Sequence, residues 1–146
     1  MGANHCVAVR PMSALVRLLY PSPPASRSAP RIIGWWERRR LQFNLVVGAT
    51  GIVSLLAINI ISLLPPDIGP ARIPPGAIVV YAVLANMFYT AGWGFELAFN
   101  AWWGDDPPAI GPILFRQGLI FSVGLTLLPV GLAGLVWMMQ LFRWLT

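Results

Sequence analysis

Leu41 to Leu64 is a run of 24 residues without a charged side chain, closed by Pro65-Pro66. Wound as an α-helix it measures about 36 Å, enough to cross a hydrocarbon core about 30 Å thick. The rest of the chain suits the same solvent. Of 146 residues, 57% are hydrophobic and 10% charged, whereas a soluble domain carries about 25% charged residues. Mean hydropathy is +0.69. The expected fold is all-α, an integral membrane protein of three transmembrane helices behind a disordered N-terminal tail.

The first span is Leu41–Leu64. Pro65 to Pro75 holds five prolines with one Asp and one Arg, a stiff loop without helix. Gly76 to Asn100 is the second span, broken in charge only by Glu96. Ala101 to Pro112 is a turn with Trp102, Trp103, Asp105 and Asp106. The third span runs from Ile113 to Phe142. Its 30 residues exceed one perpendicular crossing, and Pro129 interrupts it. Tilt or an interfacial first turn absorbs the excess; a reentrant or split helix is the alternative.

Upstream, residues 1–30 hold five prolines, four serines and three arginines, the composition of a disordered tail. The apolar run Ala14 to Tyr20 is broken by Arg17 and too short for a signal peptide core. Met1-Gly2 is not followed by Ser or Thr at position 6, so the acylation motif fails, and Met12 is an alternative start. Residues 31–40 are read as an interfacial anchor: Ile32, Ile33, Trp35 and Trp36 for the headgroup layer, and Arg38, Arg39 and Arg40 for lipid phosphates.

All ten basic residues are arginine, and Gly and Pro number 14 each, which reads as a high-GC bacterial coding bias. Seven of the ten arginines lie in the first 40 residues. The net charge of +5 is therefore the positive-inside signature of a membrane protein, not a nucleic-acid face. Arg27, Arg31, Arg38, Arg39, Arg40 and Arg116 fall on one side of the spans, Arg72 and Arg143 on the other. That asymmetry predicts a cytoplasmic N-terminus and an outside C-terminus in the bacterial inner membrane. Trp35, Trp36, Trp102, Trp103, Trp137 and Trp144 sit near the proposed boundaries.

Chemistry-bearing residues are few. One cysteine, Cys6, beside one histidine, His5, cannot build a disulfide framework, a zinc site or a haem-ligand pair. No Ser with a His base, no carboxylate pair and no phosphate-cradling loop is present. The sequence therefore predicts no catalytic residue, no metal and no cofactor.

In span two, Asn86, Tyr89, Trp93, Glu96 and Asn100 recur at intervals of 3, 4, 3 and 4, one face of a helix. Five such groups do not face lipid cheaply. They either pack on spans one and three or line a polar cavity or groove. An intramembrane carboxylate needs a named partner. Glu96 lies near the end of span two and Arg116 near the start of span three, so their depths match, and an ion pair between them is expected. Asn44, Asn100 and Gln117 complete a cluster with Glu96 and Arg116. An arginine cannot be deprotonated, which favours a structural pair over a proton-coupled site. Asn44, Gly48, Gly51, Leu55, Asn59 and Ser62 on span one, and Gly118, Ser122 and Thr126 on span three, form packing stripes.

Three segments carry a resemblance: Trp35-Trp36-Glu37-Arg38-Arg39-Arg40-Leu41-Gln42-Phe43-Asn44, Asn86 to Glu96 (NMFYTAGWGFE) and Gly111 to Gly118 (GPILFRQG). With them the chain resembles uncharacterised small multi-pass bacterial membrane proteins over about two thirds of its length, the tail excluded. The resemblance implies no activity, cofactor or partner and assigns no role to any residue.

The expectation is a non-catalytic subunit or accessory protein of a larger membrane assembly, touching lipid and a protein partner or further copies of itself, without nucleic acid. A homo-oligomeric transporter or channel using Glu96 and the Asn86, Tyr89 and Trp93 face is the alternative.

Overall fold

A computed structural model describes residues 13–24, 28–66, 69–103 and 108–146. The described residues form four helices and no strand: α1 (Ala14–Leu19), α2 (Ala29–Ser62), α3 (Pro75–Trp103) and α4 (Gly111–Leu145). α2, α3 and α4 are each long and apolar enough to cross a membrane.

Prolines at the helix starts sit where a missing N–H costs least; Pro129, inside α4, is an exception. Proline occupies the first turn of α2 and of α4, where the backbone donor has no intrahelical acceptor and φ is already helical. α2 stops before Pro65-Pro66, its last turn closed by the Leu63 N–H on the carbonyls of Ile60 and Ile61. The Gly69 N–H then folds the linker back onto the Ser62 carbonyl at 3.0 Å.

α2 begins at Ala29 and not near Leu41, so the anchor and the first span are one helix of 34 residues, about 51 Å long. Arg, Glu, Leu and Gln are all good helix formers, and the charges of Glu37 to Arg40 do not interrupt the backbone pattern. α4 runs unbroken through Pro129; the split-helix alternative is not adopted.

Within the residues read as a tail, Ala14–Leu19 form the short helix α1. Ser13 Oγ accepts the Val16 N–H at 3.4 Å and starts α1. Leu18 and Leu19 pack against the main core, and the Trp35 Nε1–H donates to the Ser22 carbonyl at 2.7 Å. Arg17 interrupts the apolar run without preventing the neighbouring leucines from docking. Residues 1–12, with His5, Cys6 and Met12, lie outside the described residues, as do Asp105 and Asp106.

The helices run up, down and up. At one end, here the basic end, the start of α2, the finish of α3 and the start of α4 meet. At the other, the proline end, the 65–75 linker joins α2 to α3. α2 packs most broadly against α4, with α3 more loosely held by both. The buried apolar core lies at and just below the basic end: Ile32, Trp35, Trp36, Phe43 and Val47 of α2, Tyr89 of α3, Phe115 and Leu119 of α4. Trp35 and Trp36 are thus core residues and not headgroup anchors, because both sit well inside α2 and face its neighbours. Trp102 and Trp103 are exposed.

Candidate functional site

Glu96 sits in the last two turns of α3 and is 3% exposed. Its Oε2 accepts a hydrogen bond from the Trp36 Nε1–H at 2.6 Å. Its carboxyl group lies against Gly111, the first residue of α4. A Cβ at that position would fall 2.7 Å from Oε1 and 2.8 Å from the carboxyl carbon, and closer still to Oε2. Only a glycine allows the carboxylate to approach the start of α4, where unsatisfied backbone N–H groups and the helix dipole present partial positive charge.

Rings enclose this group. Trp36 meets Tyr89 edge to face at 5.3 Å and Phe115 at 6.1 Å, and Tyr89 meets Phe115 at 6.4 Å. Phe43 tilts onto Tyr89 at 4.7 Å. Such pairs set a positive ring edge against a negative face and contribute about 0.5 to 1.5 kcal/mol each beyond burial. The Tyr89 hydroxyl donates to the Trp36 carbonyl at 2.5 Å, so one residue of α2 binds two side chains of α3. One turn from Glu96, the buried Trp93 Nε1–H has no hydrogen-bond partner among the described residues, and neither does Glu96 Oε1.

The expected ion pair between Glu96 and Arg116 does not form. Among the described residues the ion pair within 4.0 Å is Arg40 with Glu37, at 2.7 Å. Arg116 instead places its guanidinium 5.2 Å from the centre of the Tyr20 ring. The reason is azimuthal. Depth along the two helices matches, but at 3.6 residues per turn Arg116 lies about 140° round α4 from Gly111, on a different side of the helix from the carboxylate. Indole and helix terminus stand where a guanidinium was expected.

The rest of the cluster separates for a related reason. Asn44 pairs with Asn86, each amide donating to the other at 3.2 and 3.0 Å. Asn44 is eight residues along α2 from Trp36, and Asn86 is ten residues back along α3 from Glu96, the register of an antiparallel pair. The amide pair therefore lies about 12 Å deeper than the carboxylate. Because α2 starts at Ala29, Asn44 is well inside the helix and not at its edge. Gln117 is exposed on α4, and Asn100 is half-buried one turn beyond Glu96. On the face expected to pack or to form a groove, Asn86 and Tyr89 bond to α2 as described, and Trp93 packs against the core.

Of the arginines read as lipid anchors, Arg38 is exposed. Arg39 lies 4.0 Å over the Trp35 ring and bonds the Trp35 carbonyl at 3.3 Å. Arg40 reaches Glu37 and, at 3.2 Å, the Thr90 hydroxyl. The small-residue stripes are used in part. Gly51 meets Thr126 of α4 at 3.9 Å from its Cβ position. Thr126 shares a hydrogen bond with the Tyr81 hydroxyl, and Tyr81 also reaches the Ser122 carbonyl at 3.3 Å.

Gly111 is the site residue that sequence reasoning passed over; Trp36 was placed in the headgroup layer and Tyr89 on the packing or groove face, without the bonds that they make here. A tryptophan seven residues inside a helix, and a glycine immediately before a first-turn proline, were the signals available. Among the described residues no group of three His, Cys, Asp or Glu converges. Comparison with protein-family models, with curated proteins and with solved structures finds no match. The geometry alone describes a carboxylate held at a helix start by an indole donor.

Proposed function

We propose that the chain is a non-catalytic integral membrane protein of the bacterial inner membrane, with a cytoplasmic N-terminus and an outside C-terminus, acting as a subunit or accessory protein of a larger membrane assembly. One observation carries this reading. In each of the three long helices, only 11% of the most apolar stretch is buried within the chain, so most of the lateral surface is left for lipid or other helices. Gly48, Gly94, Gly118, Gly124, Gly131 and Gly134 have nothing within 4 Å of a Cβ position. Glycine weakens a helix interior by about 1 kcal/mol relative to alanine, and at these positions no neighbouring helix among the described residues comes close enough to require it. Close approach of partner helices offsets that cost.

Crosslinking in native membranes, then affinity purification and mass spectrometry, tests the assembly. A stoichiometric heterologous partner is expected; recovery of the chain alone from crosslinked membranes refutes the reading. For topology, a periplasmic reporter fused after Thr146 is expected to be active, and a silent one reverses the orientation.

The homo-oligomeric transporter or channel is the second reading, favoured by Glu96 having no guanidinium within 4.0 Å among the described residues. Recovery of homo-oligomers only, with solute flux in liposomes that Glu96→Gln abolishes at unchanged folded yield, would establish it.

A further inference from the structure

One side of α3 is open between Ile78 and Thr90. A groove of about 780 Å³ follows the helix past Val79, Ala82, Val83 and Asn86, with Arg40 of α2 at its basic end. Ile78 to Thr90 measures about 18 Å. Val79, Val83 and Met87 are exposed along it. The whole of α3 is 29 residues, about 44 Å, the thickness of a bilayer with its headgroups. Thr90 lies about 20 Å from the end of the helix at Trp103, past an interfacial layer about 5 to 7 Å thick and inside the hydrocarbon.

At the basic end of the groove the apolar wall gives way to a hydrogen-bonded row. Nη2 of Arg40 donates to Glu37 at 2.7 Å and to the Thr90 hydroxyl at 3.2 Å. Thr90 donates to the Asn86 carbonyl at 2.8 Å, and the Asn86 amide is paired with Asn44. Arg40 faces Thr90 in the register in which Asn44 faces Asn86, so the guanidinium is drawn across to α3 instead of only rising to the headgroups as arginines near a membrane surface do. This row has donors to spare. A guanidinium carries five; two are used on Nη2, the Nε–H is buried without a partner among the described residues, and Nη1 bonds to none of them. Burial of Nε leaves Nη1 as the amino group that another molecule reaches. Lipid tails hold no acceptor for it.

We propose that a transmembrane helix of another protein packs along α3 from Ile78 to Thr90 and sets an aspartate or glutamate against Nη1 of Arg40. The groove fits an apolar rod with an anionic acceptor near one end. Ala82 in its middle allows close approach, and the carboxylate meets a guanidinium whose one anion, Glu37, is exposed and bound to Nη2 alone. A second copy of this chain does not supply that acid. Its Glu96 is buried, its Glu37 is engaged, and Asp67, Asp105 and Asp106 belong to the segments between helices. The surface rests on the assembly reading above and gives its partner a face and a charge.

Photo-crosslinking in native membranes tests this, with benzoylphenylalanine placed at one position at a time in the full chain. From Val79, Val83 and Met87, adducts are expected to one polypeptide other than this chain. From Leu84 and Phe88, which line the cavity between α3 and α4, none to that polypeptide is expected. The linked peptide is expected to lie in a membrane span that carries an aspartate or glutamate. R40Q, or neutralisation of that acid in the partner, lowers the Val83 adduct about tenfold, the size of one charge-assisted hydrogen bond. R38Q, at the exposed neighbour, leaves it unchanged. The partner-side variant reads the contact even where R40Q fails to fold. Adducts to lipid alone, to a second copy, equally from both faces, or to a span without an acid each overturn the proposal, and so does an unchanged yield when the acid is neutralised. A partner recovered with the chain but never from these three positions refutes the surface and leaves the assembly reading standing; no partner by either route refutes both.

Discussion

The two ends of the bundle are built differently. At and below the basic end, α2, α3 and α4 bury two indoles, a phenol, two phenyl rings and a carboxylate against one another. Beyond Ser54 of α2 and Thr126 of α4, and before Tyr89 of α3, no described residue is buried. There the helices part around a cleft of about 550 Å³ lined by Ile58, Ser62, Pro70, Ala133 and Trp137. A side-chain bond from the Trp137 Nε1–H to the Pro65 carbonyl at 2.9 Å ties α4 to the linker. The difference teaches where specificity resides. Apolar side chains exposed to lipid tails do not drive helices together, so the arrangement depends on the few places where polar groups and close ring contacts discriminate one packing from another. This chain concentrates those places at one end and leaves the other free to yield.

Substitutions along that gradient sharpen the contrast. Trp36→Phe keeps a ring but deprives a buried carboxylate of its donor, and the expected loss is the largest, about 3 kcal/mol, read from unfolding followed by circular dichroism. Gly111→Ala drives a methyl group into the same carboxylate and is expected to cost about 2 kcal/mol. In a Glu96→Ala background that cost is expected to vanish. A Gly111→Ala penalty that persists without the carboxylate would mean that Glu96 does not set the spacing of α3 and α4. Halfway down, a double-mutant cycle between Asn44→Ala and Asn86→Ala is expected to return a coupling of about 0.6 kcal/mol, typical of hydrogen bonds between membrane helices. Trp137→Phe at the proline end is expected to change stability by less than about 0.5 kcal/mol. A loss there equal to that of Trp36→Phe would erase the distinction between the ends.

Hydropathy made the three long helices legible, because it depends only on which residues are apolar and for how many positions. Their limits were less so. The start of α2 was hidden by reading Glu37 to Arg40 as a boundary, although charge ends a hydrophobic segment and not a helix. Glu96 stood out as a carboxylate that needs a partner, but the partner was chosen by depth alone. Depth follows from counting residues from a turn; the side of a helix that meets its neighbour follows from packing, and Arg116 was at the right height on the wrong side. Trp36 was misread because tryptophan suits both a headgroup layer and a core, and only the position of the helix start distinguishes them. The folding back of residues 13–24 had no signal in periodicity, since six helical residues are less than two turns.

The preference of α2 for α4 over α3 has a bearing on how the molecule is made. A ribosome delivers α2 first, α3 next and α4 last, so the two helices that belong together most closely are separated by the time needed to synthesise a third. Glu96 enters the nascent molecule before Gly111 exists, with the indole of Trp36 as its donor and no helix start to lean on. Until translation has passed the first turn of α4, the chain is a pair of helices joined by the bonds of Trp36, Tyr89 and the two asparagines but without the broader contact that α4 brings, and its commitment to a shape is the act of its final quarter.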